Sequence, residues 1–170
     1  MKVVFRVTLV VTSAAVLQIG LFSQVPVFGV RAMVMLLLAI TGGMVLGPDR
    51  GAILGFVAGL VFDLLLITPL GLCALVFCLC GFVAGRFQSS VTRSSRARLM
   101  ANVGVGSAMG YGLLVVVGWV LGKHNMLSDR LAVIVLVVSV TNALLAPIAM
   151  RAIRWAWDQP RVSAGVGFGY

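Results

Sequence analysis

The stretch Gly51-Ala52-Ile53-Leu54-Gly55-Phe56-Val57-Ala58-Gly59-Leu60-Val61-Phe62-Asp63 decides the fold. Gly51, Gly55, Gly59 and Asp63 stand four residues apart, so on a helix they share one face. Glycine at that spacing lets a second backbone approach closely inside a membrane. Asp63 is the one charged residue in the apolar stretch from Gly51 to Gly85. An Asp at mid-membrane costs roughly 2.5–3.5 kcal/mol on insertion scales, so it is normally paired or functional. A carboxylate at the end of a small-residue face points into packed protein rather than lipid. The segment therefore predicts a membrane bundle whose unusual chemistry sits at Asp63.

Composition agrees. The 170 residues are 61% hydrophobic and only 10% charged, with a mean hydropathy of +1.15, whereas soluble domains carry about 25% charged residues. Glu is absent, and the acids are Asp49, Asp63, Asp129 and Asp158. The formal net charge is +9, a value that elsewhere suggests nucleic acid. Here the basic residues gather at the ends of apolar runs, which is the pattern of a membrane protein with a basic cytoplasmic face, and nucleic acid is not an expected partner.

Working outward from Asp63, the chain divides into apolar segments over about 7–25, 26–47, 51–68, 70–85, 101–122 and 131–150. Each is read as a transmembrane helix, together forming one domain over 1–160, with 161–170 a flexible, glycine-rich cytoplasmic tail. The expected fold is an all-α integral membrane protein, a compact six-helix transmembrane bundle. The first segment follows a basic start, but no small-x-small cleavage site follows it, so it is read as a retained span. The third and fourth segments are barely long enough to cross about 30 Å. Thr68, Pro69 and Gly71 form the tight turn between them, because Pro cannot continue a helix and Gly permits unusual dihedrals. A re-entrant hairpin is the alternative reading of this pair.

Orientation follows from the connections. With six spans, one side carries Lys2, Arg6, Arg50, Arg86, Arg93, Arg96, Arg98, Arg151, Arg154 and Arg161, and the other carries Arg31, Lys123 and Arg130. The positive-inside rule then places both termini in the cytoplasm. Arg86, Arg93, Arg96 and Arg98 make a cytoplasmic basic loop, read either as a topology determinant touching anionic headgroups or as a docking site for a cytoplasmic protein. Arg151, Arg154, Trp155 and Trp157 read as a membrane-interface anchor where the sixth segment leaves the bilayer.

The inventory for catalysis is thin. The single histidine, His124, sits at a loop edge, and no metal-binding helix signature, phosphate-cradling loop or carboxylate pair is present. Cys73, Cys78 and Cys80 lie in one apolar segment, without a second ligand pair, and read as packing or lipid-facing residues. No enzyme activity, metal or cofactor is expected. Polar residues that can meet Asp63 in the membrane are Thr12, Ser13, Gln18, Thr41, Ser107, Ser139, Thr141 and Asn142. A hydrogen bond from one of them is a structural pin of about 0.6–2 kcal/mol. Proton relay, the functional alternative, needs a chain of titratable groups.

Beyond the residues themselves, the centre of the chain resembles a known family. Gly47-Pro48, the glycine helix ending in Asp63, the Thr68-Pro69-Leu70-Gly71 turn, and the helix closing on Gly81-Phe82-Val83-Ala84-Gly85-Arg86-Phe87 are similar to the centre of the MreD family of rod shape-determining membrane proteins. The resemblance covers about 40 residues, and the length, basic N-terminus and six apolar segments fit the whole chain. It implies a non-enzymatic scaffold subunit of the cell-elongation (peptidoglycan synthesis) complex in the bacterial cytoplasmic membrane. Implied partners are MreC, through its transmembrane helix and periplasmic part, RodA with a class B penicillin-binding protein, and MreB where present. The implied fold resembles the substrate-binding subunits of energy-coupling-factor vitamin transporters, so such a transport subunit is the alternative function. A vitamin binder needs convergent polar and aromatic groups in the outer loops. The outer loops here offer only Gln24, Arg31, Lys123, His124, Asn125, Asp129 and Arg130, which favours the scaffold. The Gly51–Asp63 face is then expected to pack either inside the bundle or against the MreC helix.

Overall fold

The computed structural model describes residues 2–20, 33–65, 71–87, 96–120 and 131–157. Among the described residues the backbone forms six α-helices and no strand. They are α1 (Lys2–Gly20), α2 (Val34–Leu46), α3 (Pro48–Leu65), α4 (Leu72–Arg86), α5 (Arg96–Val120) and α6 (Leu131–Trp157). Thr68, Pro69, Arg93, Arg161, His124 and the tail lie outside the described residues.

α2 is the centre. Every residue from Met35 to Met44 is buried, as expected of a helix that is apolar all round. α3 and α4 pair more extensively than any other two helices, and α2 packs on both. α5 pairs with α6, while α1 lies against α2 and α6. On every helix except α2, large apolar side chains face outward, among them Phe5, Ile53, Phe56, Leu75, Met109, Leu136 and Ile148. An apolar exterior of that extent suits lipid rather than water.

Among the described residues two helices are long and apolar enough to cross a membrane by length and composition: α5 over Ala97–Val120, 24 residues, and α6 over Leu131–Trp157, 27 residues. α2 and α4, with 13 and 15 residues, are shorter than the roughly 20 residues of a typical span.

Helix ends differ from the sequence reading: α1 begins at Lys2 rather than near Val7, α2 at Val34 rather than near Pro26, and α3 at Pro48 rather than Gly51, which puts Arg50 in a helix rather than a loop. α5 begins at Arg96, so Arg96 and Arg98 belong to a helix rather than to a loop. Arg, Ala, Leu and Met are all good helix formers, and nothing in Arg96-Ala97-Arg98-Leu99-Met100 stops one. α6 runs on past Met150 through Arg151 and Arg154 to Trp157. Its buried face continues through Ala146, Met150, Ile153 and Ala156 at helical spacing. The basic residues there decorate the helix rather than end it. α6 also carries Pro147 within it.

α2 and α3 are separated by one residue. Gly47 has φ 91°, in the left-handed region that other residues enter only at a cost. Its amide donates to the Gly43 carbonyl at 2.9 Å, and its carbonyl accepts the Gly51 amide at 2.9 Å. Pro48 follows as the first residue of α3, where its missing N–H has no helical partner to lose and its fixed φ suits the start. Gly-Pro thus breaks one helix and starts the next without an intervening loop.

Candidate functional site

α3 and α4 run antiparallel with their backbones nearly touching. At Gly51 an added Cβ meets the Gly81 carbonyl oxygen at 2.9 Å, and at Gly55 it meets the Phe77 carbonyl carbon at 2.7 Å. At Gly59 it meets the Cys73 oxygen and the Ala74 Cα at 2.5 Å each. Each step of four residues up α3 is answered by a step of about four down α4, from Gly81 to Phe77 to Cys73–Ala74. Gly43 of α2 completes the lower end, with its Cβ position 3.0 Å from the Gly81 carbonyl carbon, so glycines of three helices meet there. At the far end of α4, a Cβ on Gly85 lies 2.6 Å from the Gly47 carbonyl carbon. No larger residue fits these positions with the helices where they are.

Asp63 is the last step of this ladder. It is 1% exposed, and its carboxylate reaches the N-terminus of α4. Oδ2 accepts the Gly71 amide at 3.0 Å, the Cys73 amide at 3.1 Å and the Ala74 amide at 3.2 Å, while Oδ1 accepts the Cys73 amide at 3.2 Å. The first amides of a helix have no partner inside it. A carboxylate there satisfies them and meets the positive end of the helix dipole. Asp63 therefore caps α4 from the neighbouring helix. Gly71, the residue before α4, has φ 99° with open space where a Cβ would stand. Its backbone conformation, not crowding, calls for glycine. Beside the cap, Phe62 and Phe77 pack with ring centroids 5.7 Å apart.

Five of the polar residues expected to meet Asp63, namely Ser13, Gln18, Thr41, Ser107 and Asn142, bond elsewhere. Gln18, 8% exposed, accepts the Val34 amide at 2.8 Å through Oε1, capping the start of α2. Thr41 donates to the Leu37 carbonyl at 2.6 Å, one turn back in its own helix, and Ser13 does the same to Val10 at 2.9 Å. Asn142 donates to Ser107 Oγ at 3.0 Å, linking α6 to α5, and to the Met33 carbonyl at 3.4 Å. Both Ser107 and Asn142 are fully buried. The Asn142 Oδ1 and Ser139 Oγ atoms are buried without a hydrogen-bond partner.

The basic and aromatic residues lie near the start of α1 and the end of α6. The Arg6 guanidinium stands 5.3 Å from the Trp155 ring and the Arg50 guanidinium 5.8 Å from the Trp157 ring. Arg151 and Arg154 are exposed on α6, as are Arg86 and Arg98 on α4 and α5. Cys73 is buried and Cys78 and Cys80 are half-buried. Among the described residues no three His, Cys, Asp or Glu side chains gather to hold a metal.

Sequence reasoning picked out the glycine face and Asp63 but missed the carboxylate's partners at the start of α4, which among the described residues are backbone amides and carry no side-chain signature. It also missed Gly43, although the Gly42-Gly43 pair inside an apolar helix is a signal of close approach.

The fold and the site define an all-helical membrane protein whose buried acid fastens one helix to the next. The family model for the rod shape-determining protein MreD matches residues 1–154, and the chain belongs to that family. No curated protein and no solved structure matches the chain. MreD is a family of shape-determining proteins and is not known for an enzyme activity.

Proposed function

We propose that the chain is a scaffold subunit of the cell-elongation complex that builds peptidoglycan, resident in the cytoplasmic membrane of a rod-shaped bacterium. It has six spans and both termini in the cytoplasm, on the plan of the substrate-binding subunits of energy-coupling-factor transporters. It binds MreC and, through it, joins RodA, a class B penicillin-binding protein and, where present, MreB. The observation that carries this reading is the family match over residues 1–154.

The geometry supports a scaffold in a second way. The Asp63 carboxylate accepts helix-end amides, and the glycine face lies against α4. The buried carboxylate's contacts with α4 are therefore structural. A partner helix binds instead on the outward apolar faces, away from the Gly51–Asp63 ladder.

Affinity purification of the tagged chain from its own bacterium in mild detergent, followed by mass spectrometry, tests the reading. Recovery of MreC, RodA or a penicillin-binding protein is expected. An ATPase pair with its coupling subunit, or a bound vitamin, moves the function to transport. Labelling of single cysteines placed near each terminus, from either side of the membrane, tests the topology.

A further inference from the structure

A cleft of about 570 Å³ opens where the end of α2, the start of α3 and the end of α6 come together. Its apolar lining is Val45, Leu46 and the Trp155 and Trp157 rings, and its cationic lining is Arg50, Arg151 and Arg154. Among the described residues no carboxylate lines the cleft: Asp49, next to Arg50 in sequence, is exposed and outside it. None of the three arginines is in an ion pair among the described residues, and all three line the same cleft.

The cleft is continuous with the lipid-facing exterior. Leu144, Ile148, Arg151 and Trp155 follow one another at spacings of four, three and four, so they lie along one face of α6. Leu144 and Ile148 are 62% and 67% exposed. An outward apolar stripe thus runs along the helix directly into the cationic cleft, with the half-exposed Trp155 at the boundary. Arg is suited to phosphate because its planar fork gives two parallel hydrogen bonds. Trp sits at the level of headgroups, where one side of the ring is apolar and the other wet.

We infer that this cleft is a binding site for an anionic glycerophospholipid. The phosphate diester lies among Arg50, Arg151 and Arg154, and an acyl chain lies along Leu144 and Ile148. A free phosphate has the same recognising chemistry at the arginines but leaves the apolar stripe unused. An acidic peptide leaves it unused as well. The stripe is what selects a lipid.

Tryptophan fluorescence of the full chain in nanodiscs provides the test, with brominated acyl chains as the quencher. Brominated phosphatidylglycerol is expected to quench at about one-tenth the mole fraction needed for brominated phosphatidylcholine. Each Arg→Gln change in the cleft lowers that preference about fivefold, the effect of one basic residue at a charged lipid surface. R50Q/R151Q/R154Q together abolish it, while the charge-matched R86Q/R93Q/R98Q leaves it in place. R151K/R154K, which keeps the charge and the fold but not the fork, weakens it partly. Three results overturn the inference: equal quenching by both lipids, equal loss in the cleft and control triples, or relief of quenching by millimolar inorganic phosphate or a glutamate oligopeptide. The first shows no preference for an anionic headgroup, the second leaves only general surface charge, and the last assigns the cleft to a soluble anion.

Discussion

Asp63 and Cys73 are joined through both carboxylate oxygens, with the Cys73 amide 3.2 Å from Oδ1 and 3.1 Å from Oδ2. This bond crosses from the last turn of α3 to the first turn of α4. The connection that covalently links those turns therefore does not alone fix their geometry. The carboxylate does so from inside the bundle, where water does not compete for the amides. The glycine ladder below it allows the two backbones to come near enough for an Asp side chain, only two bonds long, to reach.

Asp63→Leu is expected to destabilise the bundle by about 2–4 kcal/mol, because buried donors lose a charged acceptor and an apolar group takes its place. Asp63→Asn retains one acceptor oxygen and the shape, and should cost about half as much. Thermal melting in detergent, followed by size-exclusion chromatography, distinguishes the two. A Leu variant that melts with the wild type shows that the cap contributes nothing.

Gly59 and Gly112 are both helical glycines, yet they predict opposite outcomes. A Cβ at Gly59 lies 2.5 Å from two α4 backbone atoms, which cannot move out of the way as a side-chain tip can. Gly59→Ala should therefore cost about 1–3 kcal/mol and Gly59→Leu more. At Gly112 no atom lies within 4 Å, so Gly112→Ala should leave the melting temperature unchanged or raise it slightly. Equal behaviour of the two Ala variants contradicts the backbone-contact account of the ladder.

Gly71 separates conformation from space. With φ 99° and an open Cβ position, Gly71→Ala should cost about 1–2 kcal/mol from left-handed strain alone. Asn tolerates that region better than other non-glycine residues, so Gly71→Asn should be the milder change. If Ala and Asn destabilise equally in the melting assay, crowding rather than φ is the cause.

The glycine face and its terminal acid were legible because the period of four survives in any straight helix and needs no knowledge of the partner. The partner was not legible. Among the described residues, the groups that bind Asp63 are the amides of Gly71, Cys73 and Ala74, and every residue but proline has such an amide. Sequence reading looked instead to side chains such as Thr41 and Asn142, which bond within their own helix or to α5. The end of α6 was misplaced for a different reason. Arg151 and Arg154 interrupt the apolar run, but Met150, Ile153 and Ala156 keep the buried stripe going beneath them. Charge marks where a helix meets polar surroundings and says little about where its hydrogen bonds stop. Likewise, the pairing of Arg6 with Trp155 joins opposite ends of the chain and has no local signature.

The Ser107–Asn142 bond links α5 to α6 at 3.0 Å inside an otherwise apolar contact. Hydrogen bonds between membrane helices are worth about 0.6 kcal/mol on average in double-mutant cycles, since unfolded helices find other partners within lipid. A cycle with Ser107→Ala and Asn142→Ala should give a coupling near that value. Either single change should cost more than the coupling, because it leaves its former partner buried and unpaired. Asn142→Ala has a partly offsetting effect, as it also removes the Oδ1 atom that has no hydrogen-bond partner. The Ser107→Ala variant leaves one N–H of the buried Asn142 amide unpaired, while its other bond to the Met33 carbonyl remains. Additive single changes, with no coupling in the cycle, show that the 3.0 Å contact is geometric proximity without energetic consequence.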